Sequence, residues 1–122
     1  MNAAQPRMST TTVHVLQALS EDPEIERYGL EIMALTGLPS GTVFPILARF
    51  EALGWLESGW EVVDPSAAGR PRRRYYRLTD GGLEGTSAAL ARVQQERAKR
   101  ASILRPERAQ GASSLRPEGG LA

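Results

Sequence analysis

Eleven residues near the middle of the chain, Gly69-Arg70-Pro71-Arg72-Arg73-Arg74-Tyr75-Tyr76-Arg77-Leu78-Thr79, most constrain what it can fold into. Gly and Pro open the segment with turn chemistry, and the Tyr-Tyr-x-Leu run closes it as a β-favouring stretch. Upstream, Leu56 to Val63 reads as a strand with Leu56, Trp60 and Val62 on one face, and Asp64-Pro65-Ser66-Ala67-Ala68-Gly69 is turn material. Together these runs predict a β-hairpin over residues 56–78, with Arg73 to Leu78 returning. Five arginines fall within eight of its residues. A guanidinium stays charged and grips phosphate through two parallel hydrogen bonds, so such a hairpin suits a phosphate backbone. A charged hairpin facing only water is the alternative, and the elements upstream weigh against it.

Those elements are helical. Ser9-Thr10-Thr11-Thr12 offers capping hydroxyls, and Val13, Leu16 and Leu19 then recur at helical spacing, predicting a helix over residues 10–20. Tyr28, Ile32 and Leu35 predict a second helix over 28–37, stopped by Gly37. After the short turn Leu38-Pro39-Ser40, the stripe Val43, Ile46, Leu47, Phe50 and Leu53 predicts a third helix over 42–53. Pro45 is comfortable only in a first turn, which makes Gly41 or Thr42 the expected N-cap. Thr79-Asp80 starts a fourth helix to Leu104, about 37 Å long, whose first turn is weakened by Gly81 and Gly82. The expected fold class is mainly α with a small β-hairpin: a winged helix-turn-helix followed by a long C-terminal helix.

Charge divides unevenly along the chain. Residues 1–69 carry three arginines against nine acids, and residues 70–122 carry twelve basic residues against five acids. This asymmetry points to a polyanion contact confined to one part of the surface. The absence of cysteine excludes disulfides, thiolate metal sites and a cysteine nucleophile. No apolar run approaches membrane-spanning length and no secretory signal is visible, so the expected location is cytoplasmic, on nucleoid DNA.

Helices two and three, joined by a short turn, match the helix-turn-helix arrangement, in which the later helix enters the major groove N-terminus first. Rotation by 100° per residue puts Gly41, Pro45, Ala48 and Ala52 opposite the apolar stripe, flanked by Thr42, Phe44 and Arg49. Ser40 and Thr42 can donate to phosphates or base edges at the helix N-terminus, and Phe44 can touch a thymine methyl. Arg49 has two readings, a guanine or phosphate contact and an ion pair with nearby acids. With no Asn or Gln on this sparse face, affinity is expected to lean on Arg70, Arg72, Arg73 and Arg74, following the backbone or entering a minor groove.

Three segments also resemble one family. Tyr28-Gly29-Leu30-Glu31-Ile32, the stretch from Gly41-Thr42-Val43-Phe44-Pro45 to Phe50-Glu51-Ala52-Leu53-Gly54, and the basic segment Gly69 to Gly81 are similar in kind and order to the PadR group of bacterial transcriptional regulators. The resemblance covers roughly residues 10–95. It implies a dimeric winged-helix repressor of double-stranded DNA, often controlling detoxification or stress genes. Phe44 departs from the family's usual tyrosine and removes a hydroxyl from the DNA-facing turn. Only about forty residues follow the wing, so the separate C-terminal domain of larger members is not expected. Some relatives hold flat aromatic ligands against the last helix; with no aromatic residue after Tyr76, such a pocket is not expected, and no effector is named.

The fourth helix carries Leu83, Leu90, Val93 and Leu104 as an approximate seam interrupted by Arg97. A small winged-helix unit leaves such a helix largely uncovered, so Leu83, Leu90 and Val93 are the expected homodimer interface. The domain reading is a flexible N-terminus at 1–8, the winged helix-turn-helix at 9–79, the dimerisation helix at 80–104 and a disordered tail at 105–122. No cofactor or metal is expected: His14 is the lone histidine, and no phosphate loop, dinucleotide fingerprint or catalytic constellation occurs. Trp55 and Trp60 read as core, with a ligand-pocket wall as the alternative, and Glu31 and Glu51 lack a visible cleft. A winged-helix protein-interaction module and a nonspecific architectural DNA binder are the rival functions.

Overall fold

The structure is a computed structural model that describes residues 6–104. Expectations for residues 1–5 and for the tail from 105 onward lie outside the described residues. The elements are α1 (Thr10–Ser20), β1 (Arg27–Tyr28), α2 (Gly29–Thr36), α3 (Ser40–Ala52), β2 (Leu56–Trp60), α4 (Pro65–Ala68), β3 (Arg74–Leu78) and α5 (Asp80–Leu104). The chain divides into two compact units between Leu90 and Ala91.

Three helices build the core. The α1 stripe Val15, Leu16 and Leu19 packs with Ile32 of α2 and with Val43, Ile46, Leu47 and Phe50 of α3. Leu56, Tyr76 and Leu78 close it from the sheet. Burying such side chains contributes about 1.5–3 kcal/mol each, and this holds the short helices, which are marginal alone. At the start of α2 the Glu31 carboxylate accepts the Tyr28 backbone N–H at 2.8 Å, half of a capping box.

The sheet is antiparallel with strand order β1-β3-β2. β3 pairs along its whole length with β2, from Leu56↔Leu78 to Trp60↔Arg74, while β1 adds only Arg27↔Tyr76 and Tyr28↔Tyr75. The fold is a winged helix-turn-helix, mainly helical, ending in one long helix.

Several expectations are corrected. The first β-run stops at Trp60 rather than Val63, and Trp60 is 54% exposed and Val62 99% exposed. Strand alternation does place Trp60 on the Leu56 face, but beyond the reach of the helices that face has no core to meet. Trp55 keeps its core position, with its ring centroid 5.2 Å from that of Phe50. Leu35, expected on the inner stripe of α2, is exposed. Tyr28, expected to open the second helix, instead joins Arg27 in a third strand and caps α2.

The wing turn contains the short helix α4. Asp64 caps it by accepting the Ser66 N–H at 3.0 Å, Pro65 takes its first position and Gly69 ends it. The third helix begins earlier than expected, at Ser40, because the Pro39 carbonyl accepts the N–H groups of Thr42 and Val43, each at 3.0 Å. Pro45 therefore lies inside α3 and not in its first turn. The bond it omits would have ended on the Gly41 carbonyl, on the solvent-facing first turn where water can satisfy it.

Candidate nucleic-acid interface

Ser40, Gly41, Phe44, Pro45, Ala48, Arg49 and Ala52 form the exposed side of α3, with Thr42 half-buried beside them. This is the side opposite the Val43, Ile46, Leu47 and Phe50 stripe, as helical rotation requires. Ser40 opens the helix, so its hydroxyl and the first backbone N–H groups face solvent together.

Phe44 is 40% exposed, and its ring tip is turned toward α2. A Cβ placed on Gly29 would lie 2.4 Å from the Phe44 Cζ atom, so glycine at the start of α2 is what allows the two helices this contact. The ring braces α2 against α3 and offers its exposed side to a ligand. Among the described residues Arg49 meets no acid. It donates from Nη2 to the Thr12 hydroxyl of α1 at 3.0 Å, and its guanidinium carbon lies 5.1 Å from the Phe50 ring centroid.

The wing arginines are brought to the same region. A recess of about 200 Å³ is lined by Tyr28, Gly29, Leu30, Phe44, Arg73 and Arg74, joining the start of α2, α3 and β3. Arg74 donates to the Ser58 hydroxyl at 2.7 Å and to Glu51 at 3.4 Å, and lies 5.3 Å from the Trp60 ring centroid. This contact covers part of the otherwise exposed indole. Arg77 pairs with Glu57, its cross-strand neighbour, at 2.5 Å.

Glu61 is the centre that sequence reasoning missed. Arg70 donates to both of its oxygens, the longer bond at 3.3 Å. The Arg73 backbone N–H adds a bond at 3.0 Å, and the Tyr28 hydroxyl reaches it at 3.3 Å. The Arg73 guanidinium in turn lies 4.7 Å from the Tyr28 ring centroid. Hydrogen bonding from Arg70 lowers the Glu61 carboxyl to about 2, against the opposing effect of burial and with added help from Arg73. Burial and the neighbouring Glu61 carboxylate raise the Tyr28 phenol. The signal available in the sequence was an acid on each side of Trp60, at Glu57 and Glu61, facing a run of arginines. Its meaning depends on a register that only pairing reveals.

Arg72 stands apart. Among the described residues, it is the one wing arginine outside every ion pair, and it is exposed. On α5, Leu83 is partly buried against the core of its own unit, whereas Leu90 and Val93 are partly exposed. Among the described residues no group of three or more His, Cys, Asp or Glu is placed to hold a metal ion. No single described helix is long and apolar enough to cross a membrane.

A family model described as the transcriptional regulator PadR-like family matches residues 15–87. No curated protein matches the chain. Among solved structures, a PadR family transcription regulator from Clostridium difficile R20291 is 21% identical, with 79% of this chain and 99% of that chain covered and a TM-score of 0.64. A PadR family transcriptional regulator from Eggerthella lenta DSM 2243 is 27% identical over 74% of this chain and 80% of that one, with a TM-score of 0.60. A PadR-like transcriptional regulator from Bacillus cereus strain ATCC 14579 is 22% identical over 76% and 89%, with a TM-score of 0.58.

Proposed function

This chain belongs to the PadR-like family of transcriptional regulators, and from that premise we propose that it is a homodimeric repressor that binds a specific double-stranded operator. The observation that carries the proposal is the shared side of α3 and the wing. A solvent-facing helix N-terminus with Ser40, Thr42 and Phe44 stands beside a recess whose other wall is Arg73 and Arg74. In this reading α3 enters the major groove, its N-terminal residues touch base edges, and the wing arginines supply phosphate-binding charge. Arg49 keeps one N–H on the Thr12 hydroxyl, and its remaining guanidinium N–H groups are the ones that would reach a phosphate.

The partly exposed Leu90 and Val93 of α5 support dimerisation. A second copy packed along Leu90 and Val93 would cover the partly exposed apolar positions of α5 and bring two α3 helices to successive major grooves, about 34–36 Å apart. The protein regulates by occupying DNA in the cytoplasm, without catalysis.

The test is a set of binding isotherms at several salt concentrations on three duplexes: one from upstream of the protein's own gene, a scrambled copy and a random sequence. The expected result is a log–log salt slope of several units on all three, with tighter binding to the upstream duplex. Equal affinity for all three would identify a nonspecific architectural protein, to which the sparse α3 face is also suited. Absence of salt-dependent binding would leave a protein-interaction module.

A further inference from the structure

Four of the five wing arginines carry a carboxylate partner: Arg70 and Arg73 share Glu61, Arg74 meets Glu51 and Arg77 meets Glu57. The wing is therefore far less cationic than its sequence suggests. Glu61 differs from the other two acids in position and in saturation. Its side chain is only 9% exposed, against 35% for Glu51 and 48% for Glu57. It joins the hairpin to Tyr28, the residue that precedes α2, so it ties the wing to the helix-turn-helix.

The hydrogen bonds that Glu61 accepts are those a phosphate would seek. Two Nη donors of Arg70 reach two carboxylate oxygens, the paired geometry by which arginine also holds phosphate. A backbone N–H and a phenol complete the anion's shell. Resting on the DNA-binding reading, we infer that Glu61 is an internal counter-anion that occupies the phosphate-binding groups of Arg70, leaving Arg72, which has no carboxylate partner among the described residues, to neutralise a DNA phosphate. Glu61 thereby acts as a positioning residue: it sets how many phosphates the wing engages and so how tightly the protein holds any duplex at a given salt. Its hydrogen bonds go to Arg70, Arg73 and Tyr28 and not to Ser40, Thr42 or Phe44, so base preference is not expected to depend on it.

Glu61→Gln keeps the shape and removes the charge. On a random duplex its log–log salt slope is expected to steepen by about 0.9, one added phosphate contact. A fourfold rise in salt then weakens binding by about 3.5-fold more than in the wild type. Preference among duplexes stays unchanged. Arg70→Ala in the Glu61→Gln background returns the slope to the wild-type value, whereas Arg70→Ala alone leaves it near wild type and Arg72→Ala flattens it by about 0.9. Were Glu61→Gln unfolded, the contrast between Arg70→Ala and Arg72→Ala in the otherwise wild-type chain decides. The inference is overturned if Arg70→Ala alone flattens the slope as much as Arg72→Ala, or if folded Glu61→Gln keeps the wild-type slope. A wild-type chain that binds no duplex would end the DNA-binding reading itself, and the inference with it.

Discussion

Alanine at either of the two glycines in the first turn of α5 tests how the long helix is seated on the wing. Helix propensity favours alanine over glycine by roughly 0.5–1 kcal/mol at an interior site. At Gly81 nothing lies within 4 Å of the position an added Cβ would take, so Gly81→Ala is expected to stabilise by up to about that amount. At Gly82 the added atom would stand 1.9 Å from the Trp55 carbonyl oxygen and 2.6 Å from its carbon. Ordinary carbon–oxygen contacts begin near about 3.3 Å, so helix and carbonyl must part by roughly 1.4 Å.

That carbonyl is held in place. It accepts the Thr79 N–H at 2.9 Å and faces the Thr79 hydroxyl at 3.3 Å. The same hydroxyl oxygen caps the helix by accepting the Gly82 N–H at 2.9 Å. Overpacking costs about 1–3 kcal/mol and a lost hydrogen bond about 1 kcal/mol, against a propensity gain below 1 kcal/mol. Gly82→Ala should therefore destabilise by about 2–3 kcal/mol, lowering Tm by roughly 10–20 °C in a domain of this size. Urea unfolding of wild type, Gly81→Ala and Gly82→Ala, followed by tryptophan fluorescence, measures both effects. A Gly82→Ala protein as stable as wild type would refute the close seating of α5 on Trp55.

The remaining expectations use other readouts. Phe50→Ala empties the centre of the helical core and should lose about 3–5 kcal/mol in the same urea assay. Replacing Leu90 and Val93 together with Glu should give monomers by sedimentation that bind DNA weakly, since each half-site loses its linked neighbour; a wild-type monomer at micromolar concentration would contradict the dimer. Thr42→Ala should change which duplex is preferred by no more than about 1–3 kcal/mol while leaving the salt slope intact, checked by competition between duplexes. The Glu61 carboxyl is lowered from 4.5 to about 2 in the fold, so its stabilising effect is complete above pH 4.5 and is lost as pH falls toward 2. The stability difference between wild type and Glu61→Gln should accordingly shrink across that window in urea titrations, and a constant difference would show that the charge is not what holds the wing.

Much of this molecule is legible in local pattern. The apolar spacing of Val43, Ile46, Leu47 and Phe50 identified the inner side of α3, and with it the outer one, because helical geometry links the two. Pro39 before α3, Gly37 after α2 and the turn residues 64–69 marked element ends, since backbone freedom is a property of single residues. Even the missed helix α4 was written locally, as Asp64, Pro65 and Gly69 in capping order.

The arginine run shows where that legibility stops. Residues 70–77 alone establish five fixed positive charges on a hairpin, because a guanidinium is charged in any surroundings. Which of those charges remains available depends on partners that chain order does not place together: Glu61 reaches across 33 residues to Tyr28, and Glu51 across 23 to Arg74. The exposure of Trp60 has the same origin, since strand alternation sets its face but only the extent of the helical layer determines whether that face is covered. Periodicity and residue chemistry, being local, determined the order of the main helices and the hairpin and the positive charge on it. Register and packing, being non-local, decided that, among the described residues, four wing arginines pair with carboxylates and Arg72 does not.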